Sequence, residues 1–234
     1  MRAAEVPPEL LSVFEKASEA VKGYFESLQS VPARGRVEVG KDRFILARTD
    51  SLSLVLREVL TEIYGEHGSD QLLYAFGKAV GRSEARKFFD RFGLKDPLEK
   101  FGFGPTYFSF SGWAFVNLLH PSNPVPDENF VLVFANQQSF EAESFLSEGE
   151  KPQKVICHIN AGYLTGWCEE SFGIPLETRE LFCSAKGEGL DLFLMTHRKK
   201  ILSAAENAAR LIEKDQDLTV EAILAGGYRV NRIL

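Results

Sequence analysis

The sequence CHINAGYLTGWCEESFGIPLETRELFCSAKGEGLD, residues 157–191, decides the fold of this chain. Its first half combines small residues with two aromatic residues, Tyr163 and Trp167, as in a helix that packs closely against a neighbour. Its second half predicts two strands, at 178–184 and 190–196, that are joined by a glycine-containing turn. We therefore expect a helix and an antiparallel hairpin that together form the floor of a ligand pocket.

Four side chains of this stretch are of the types that bind zinc, namely Cys157, Glu180, Cys183 and Asp191. Zinc accepts thiolate and carboxylate ligands in tetrahedral geometry, and a closed site with four protein ligands is structural. However, Glu180 and Cys183 lie three residues apart on a predicted strand and face opposite sides unless a bulge intervenes. The alternative is that the cysteines are buried thiols and the acids are solvated. Cys168 is expected in the core.

The composition of the chain excludes several classes of protein. A net charge of −6 over 234 residues does not suit a general nucleic-acid surface. Hydrophobic residues make up 44% of the chain, but no apolar run approaches the ~20 residues of a membrane span. The N-terminus lacks the apolar core of a signal peptide, and three cysteines do not form a disulfide framework. We expect a cytoplasmic protein with reduced thiols.

The periodicity of apolar residues predicts a mixed α+β fold. Helical spacing predicts helices at 7–29, 51–64, 70–92, 139–146, 155–172 and 198–214. Alternation and apolar runs predict further strands at 36–40, 43–47, 107–119 and 130–135, with a loop at 97–105. Helices and strands do not alternate regularly, so an antiparallel sheet is favoured over a doubly wound one. The GxxxG spacing of Gly77 and Gly81 predicts close helix packing.

Phenylalanine accounts for 19 of the 27 aromatic residues, which provides apolar surface without polar groups. One interpretation is a large core. The other is a cavity for an apolar or aromatic molecule, with a few polar groups that orient it. The candidate binding residues are Phe101, Phe103, Phe108, Phe110, Trp113, Phe134, Asn136, Tyr163 and Trp167.

No motif of a known catalytic site is present. The chain lacks a GxSxG elbow, a P-loop, a GxGxxG after a strand and a CxxC pair, and its four histidines are scattered. We therefore assign no catalytic residue and do not expect an enzyme.

Two parts of the sequence resemble known families. The series Cys157, AGYxxG at 161–166, Glu180, Cys183 and Asp191 resembles the 4-vinyl reductase domain. The preceding segments GKDRFILARTDSLSLVLREVL, GRSEA and FGFGP resemble the N-terminal sensor domain of XylR/DmpR/MopR-type aromatic-responsive activators. The similarity extends over about residues 35–196.

This resemblance implies a ligand-binding fold shared with nitric-oxide-signalling and Golgi-transport domains. It implies a dimeric sensor of a sigma-54-dependent transcriptional activator or a related signalling protein, whose ATPase or DNA-binding output module lies outside this chain. The domain organisation would then be a dimerisation segment at 1–34, a sensor at 35–197, and a linker helix with a tail at 198–234. We expect no direct binding of nucleic acid.

The resemblance also implies a structural zinc bound by Cys, Glu, Cys and Cys, with Asp191 here in place of the fourth thiolate. A hard oxygen in that place makes the site weaker. In the phenol sensors a His and a Trp grip the ligand hydroxyl, and the matching positions here are Phe108 and Phe134. Because an unpaired buried hydroxyl costs about 1 to 3 kcal/mol, we expect alkylbenzenes or a lipid-like chain to bind better than phenol.

Two other functions remain open from the sequence. A standalone hydrocarbon or lipid carrier would use the same apolar cavity. An enzyme of tetrapyrrole metabolism is suggested by the vinyl reductase resemblance, although the sequence contains no site for a hydride donor.

Overall fold

The computed structural model describes residues 3–214, with the side chains of all of these except residues 121, 138 and 209–214. The helices are α1 (Leu11–Phe25), α2 (Leu56–Phe92), α3 (Pro97–Phe110), α4 (Phe140–Ser147), α5 (His158–Phe172) and α6 (Ile201–Lys214). The strands are β1 (Ala4–Glu5), β2 (Gln29–Val31), β3 (Arg36–Val39), β4 (Asp42–Phe44), β5 (Ala114–Asn123), β6 (Val131–Ser139), β7 (Leu176–Phe182) and β8 (Asp191–His197). This mixture of helices and strands confirms the α+β prediction.

The main sheet has five strands in the order β1-β5-β6-β8-β7, and all pairs except β1 with β5 are antiparallel. Strand β6 is buried on both faces, as its apolar sequence predicts. Phe134 belongs to the core on the face that carries α3 and α5, whereas Val133 and Ala135 belong to a second cluster with Ile201 of α6. A separate three-stranded sheet, β2-β3-β4, contains the strand predicted at 36–40 and the first part of the strand predicted at 43–47.

Helices α2 and α5 pack against each other through glycines. A Cβ atom at Gly81 would overlap the carbonyl oxygen of Tyr163, and one at Gly77 would overlap the carbonyl oxygen of Ile159. On the facing helix, Gly162 and Gly166 meet the α2 backbone in the same way. The predicted close packing at GxxxG is therefore confirmed, and it involves glycines on both helices.

The loop predicted at 97–105 is wrong, because these residues form the first part of α3. The side chain of Asp96 accepts hydrogen bonds from the backbone N–H groups of Leu98 and Glu99, and Pro97 starts the helix. The glycines in this segment serve close packing, since a Cβ at Gly104 would overlap the indole of Trp167. The predicted strand at 107–119 consequently begins only at Ala114.

The two helices predicted at 51–64 and 70–92 form one long element with an elbow. Gly65 has φ 71° and ψ 169°, which is not helical, and it bends α2 near the predicted break. A short π-helix, Ser51–Val55, precedes α2.

The N-terminal helix is present, and its apolar face is occupied within the chain. Phe14, Ala17 and Val21 are buried in the main core, and the Phe14 ring meets that of Phe101 on α3 at 5.6 Å between centroids. Within residues 3–214, none of the helices is long and apolar enough to cross a membrane. The tail predicted after residue 214 lies outside the described residues.

Candidate functional site: a zinc-type cluster and an aromatic cavity

Cys157, Glu180, Cys183 and Asp191 form one cluster. Their possible ligand atoms all lie within 4.8 Å of one another. A tetrahedral zinc with bonds of about 2.0 to 2.3 Å needs ligand atoms roughly 3.3 to 3.8 Å apart, so a small contraction would suffice. The cluster joins the N-terminus of α5 to both strands of the terminal hairpin.

A bulge in β7 brings the second and third residues of the cluster together. Glu180 is opposite Phe193 on β8, whereas Phe182 is opposite Leu192, so the register shifts between these pairs. This is the irregularity that the spacing of Glu180 and Cys183 requires if both side chains are to face one site. The alternative in which the acids are solvated is wrong, since Asp191 is fully buried.

The two carboxylates of the cluster differ in how their oxygen atoms are used. Glu180 Oε2 accepts from the Cys157 backbone N–H at 2.8 Å, and its buried Oε1 has no hydrogen-bond partner within the described part of the chain. Asp191 Oδ1 accepts from the backbone N–H and hydroxyl of Ser184, at 2.8 and 2.7 Å. Asp191 Oδ2 accepts only from the Ser139 N–H, at 2.9 Å, and keeps a lone pair for a further ligand.

The electrostatics of the cluster favour a cation. Burial raises the pKa of Glu180 and of Cys157, and in both cases the neighbouring acidic groups raise it further. A hydrogen bond from Cys157 lowers the pKa of Cys183 to about 7. Several acidic groups in a dry site repel one another, and a bound divalent cation would remove that repulsion. The donor set and the unpaired Glu180 oxygen therefore fit zinc.

A cavity of about 450 Å³ lies between α2, α3, α5 and the segment 44–52. Its wall is mostly apolar and includes Val80, Trp113 and Phe140. The segment that covers it exposes large apolar side chains, with Ile45 85% and Leu46 78% accessible to solvent. Its full lining comprises Phe44, Ile45, Leu46, Ala47, Thr49, Leu52, Val80, Glu84, Tyr107, Ser111, Gly112, Trp113, Phe140 and Tyr163.

The cavity wall carries few polar groups. Tyr163 is fully buried, and its hydroxyl has no hydrogen-bond partner among the described residues. Burial raises the pKa of this hydroxyl well above its usual value, so it stays protonated and can donate. The other strong polar group is the carboxylate of Glu84, which accepts from the Tyr107 hydroxyl at 3.3 Å.

Of the candidate binding residues, the structure places Trp113 and Tyr163 in the cavity wall, with ring centroids 4.9 Å apart. Phe108 packs behind both of them, at 5.7 and 5.1 Å.

The other six candidates lie elsewhere in the core or the sheet. Phe101 packs on Phe172, Phe103 on Phe92, Phe110 on Phe25, Phe134 on Phe193 and Trp167 on Tyr107, while buried Asn136 pairs with Asp191 across the sheet.

Sequence reasoning missed the residues of the opposite wall. Val80 and Glu84 are one turn apart on α2, and an acid beside an otherwise apolar stripe was the available signal. The sequence predicts a strand and then the start of a helix in the segment 44–52, and nothing in it indicates that this segment covers a cavity.

A comparison with protein families matches the part of the chain that precedes α5. Residues 25–121 match a family model described as activator of aromatic catabolism. This match runs from β2 into β5, so it includes α2, α3 and the segment over the cavity, although not α5.

Two individual proteins are similar over most of the chain. The phenol regulator MopR of Acinetobacter guillouiae is 25% identical over an alignment of 233 residues that covers 97% of this chain. The chain spans only 40% of the length of MopR.

A crystal structure of the phenol-responsive sensory domain of the transcription activator PoxR, with phenol, superposes with a TM-score of 0.68. The sequence identity is 21%, and the superposition covers 85% of this chain and 97% of the PoxR chain. This likeness shows the fold.

Proposed function

We propose that this chain is a regulatory sensor domain that binds an aromatic small molecule in the cavity at Trp113 and Tyr163. The observation that carries the proposal is the cavity of about 450 Å³, whose mostly apolar wall presents the rings of Trp113 and Tyr163 with centroids 4.9 Å apart. Aromatic rings pack favourably against one another in offset or edge-to-face arrangements, so such a wall suits a flat, apolar aromatic ligand.

The comparisons support the sensing part of this proposal. The matching family is described as activators, and both similar proteins are named as phenol-responsive regulators; none of these names denotes an enzyme. An output module would belong to a longer protein or to a separate partner, as the 40% coverage of MopR suggests. A cytoplasmic location remains a prediction.

The preference for apolar ligands over phenol stays part of the proposal. Phe108 lies within 5.1 Å of Tyr163 between ring centroids, and Phe134 stacks on Phe193 in the sheet. Neither side chain can hydrogen-bond a ligand hydroxyl. Near Phe108, the Tyr163 hydroxyl could still form this hydrogen bond. A substitution of Tyr163 therefore tests how the cavity responds to a polar ligand.

The binding experiment uses the two tryptophans of the chain. Trp113 lines the cavity, whereas Trp167 packs beside Tyr107 and donates its Nε1–H to the Lys100 carbonyl oxygen at 2.9 Å. We expect toluene to change the fluorescence of the wild type and of Trp167→Phe, and to leave Trp113→Phe almost unchanged. Binding by calorimetry should be tighter for toluene than for phenol.

A substitution that removes one oxygen atom sharpens this experiment. Tyr163→Phe should leave toluene binding unchanged, weaken any residual phenol binding, and not lower the thermal stability, because the lost hydroxyl has no partner. The proposal fails if neither toluene nor phenol binds, or if the full fluorescence response survives in Trp113→Phe.

We also propose that the cluster at Cys157 holds a structural zinc. It would link the start of α5, which leads to Tyr163 in the cavity wall, to the hairpin of β7 and β8. The likeness of residues 157–191 to the 4-vinyl reductase domain rests on the sequence alone.

We also propose that the chain forms a dimer, through a surface other than the dimerisation segment expected at 1–34. The apolar face of α1 is buried within the chain, whereas Val55, Val59 and Ile63 recur along one face of the helix before Gly65 and are 46 to 63% exposed. A series of large apolar side chains exposed along one helix is typical of an interaction surface. A second copy brings the same apolar face, as a two-fold interface requires. Further large apolar side chains that are exposed on α2 or just before it are Leu52, Tyr64, Leu72 and Phe76.

A further inference from the structure

The described residues of the cavity wall include a negatively charged side chain and no positively charged one. Among the lining residues that the structure describes, Glu84 is the only carboxylic acid, and none is a lysine, arginine or histidine. Glu84 extends from α2 one turn after Val80, and the Tyr107 hydroxyl, which donates to its Oε2, fixes the position of the carboxylate.

The groups around Glu84 do not cancel its charge inside the cavity. Lys87, on the same helix, attracts the carboxylate electrostatically, but it is exposed and is not part of the wall. Asp42 of β4 adds negative potential at Glu84. The nearby cation Arg91 is paired with Asp42 and lies over the Tyr24 ring, 5.0 Å from its centroid. An anionic ligand would therefore meet a carboxylate and no counterion.

We propose that Glu84 is a specificity-determining residue, which excludes aromatic carboxylates from the cavity and admits neutral aromatic molecules of the same shape. The inference rests on the proposed function, since it concerns the same cavity. Like charges in a partly dry site repel strongly, and rejection of the wrong ligand is a common source of specificity. The cavity would thus distinguish an alkylbenzene from the benzoate that forms when its side chain is oxidised.

Nitrobenzene and benzoate form a suitable pair of probes, because both carry a planar group with two oxygen atoms and only benzoate is charged. By calorimetry at pH 8, we expect the wild type to bind nitrobenzene and to bind benzoate weakly or not at all. Glu84→Gln keeps an oxygen acceptor for the Tyr107 hydroxyl. It should strengthen benzoate binding by about tenfold or more and leave nitrobenzene binding within about twofold.

Asp90→Asn provides the matched control. It removes one negative charge from the same half of α2, at an exposed position outside the cavity wall. It should leave both affinities unchanged, and the thermal unfolding of both variants should match that of the wild type.

The outcomes separate the two proposals. If the wild type binds nitrobenzene and benzoate equally, or if Glu84→Gln does not strengthen benzoate binding, the role of Glu84 is overturned and the sensor proposal stands. If Asp90→Asn improves benzoate binding as much as Glu84→Gln does, net charge and not the cavity wall is responsible. If the wild type binds toluene but neither probe, the role of Glu84 is overturned and the sensor proposal stands. If toluene, phenol and both probes all fail to bind, both proposals fail.

Discussion

Single residues decide whether this chain keeps a metal. Asp191 uses three of its hydrogen-bond positions to hold the N–H of Ser139 and two groups of Ser184, and it offers one lone pair to the cluster. It therefore acts as a structural acceptor as well as a possible ligand. A thiolate in the same place would be the softer metal ligand and a weaker hydrogen-bond acceptor.

We expect protein purified without added metal to contain about one zinc per chain by elemental analysis. Cys183→Ser should lose the metal, and removal of the metal with a strong chelator should lower the melting temperature. Cys168→Ala is the control, since Cys168 is buried outside the cluster and its loss should leave the zinc content unchanged. Metal-free wild type with an intact fold would refute the zinc proposal.

Asp191→Cys should have two opposite effects. The third thiolate should raise the zinc affinity by about tenfold or more, as measured by competition with a chromogenic chelator. The same change removes the acceptor of the Ser139 and Ser184 hydrogen bonds, so the metal-free variant should unfold at a lower temperature than the metal-free wild type. Unchanged zinc affinity would mean that residue 191 is not a ligand.

At the scale of elements, α2 and α5 form the rigid part of the fold. Gly81→Ala would drive a methyl group into the Tyr163 backbone, and we expect it to lower the free energy of unfolding by about 3 kcal/mol. Gly23→Ala is the matched control, because a Cβ there, in the last turn of α1, meets nothing within 4 Å. That change should stabilise the protein by roughly 0.5 to 1 kcal/mol in chemical denaturation. Equal effects of the two substitutions would contradict the close packing.

A buried carboxylate on α5 ties these helices to the sheet. Glu169 accepts from Lys78 at 2.8 Å, from Arg82 and from the Leu176 backbone N–H, and its side chain is only 6% exposed. Burial raises the pKa of Glu169, but these partners outweigh it, and the pKa lies below the usual 4.5. Its ionised form therefore stabilises the fold above pH 4.5, and this contribution is lost as the pH falls below that value.

Glu169→Gln should accordingly lower the free energy of unfolding by about 2 kcal/mol at pH 7, because it leaves Lys78 without its buried partner. The difference from the wild type should shrink as the pH falls below 4.5. Glu170→Gln, which breaks an exposed pair with Arg86, should have a smaller effect at every pH. A pH-independent loss in Glu169→Gln would argue against the ionic role.

Several elements could be predicted from the sequence because their determinants are local. The apolar run of β6, the Gly65 break and the glycines at 77 and 81 each follow from a neighbouring pattern. A loop was predicted at 97–105 because glycine lowers helix propensity, and this prediction is wrong. The segment is helical, and Gly102 and Gly104 permit close contacts with Val13 and Trp167, which are distant in the sequence.

The candidate site was predictable only in part for the same reason. The four residues of the zinc-type cluster carry a recognisable chemistry, and the structure brings them together. Aromatic residues do not carry such a signal, since Phe101 in the core and Trp113 in the cavity wall look alike in a sequence. Which ring borders an empty space depends on how α3 and segment 44–52 are placed.

At the scale of the whole molecule, the exposed face before the Gly65 elbow predicts the oligomeric state. We expect the wild type to be a dimer by light scattering after size exclusion. Val59→Glu and Ile63→Glu should each produce a monomer that keeps the wild-type circular dichroism spectrum. Leu28→Glu is the control, because Leu28 is 51% exposed away from this face. A dimer that survives both changes would place the interface elsewhere.

The glycine contacts between α2 and α5 have a consequence for the range of molecules that the chain could recognise. Val80 and Tyr163, on two sides of the cavity, stand on helices whose backbones touch and cannot slide apart. The cover at 44–52 holds its large side chains mostly in solvent and lacks such constraints. A change of ligand preference should therefore be sought by varying this cover, with α2 and α5 left as they are.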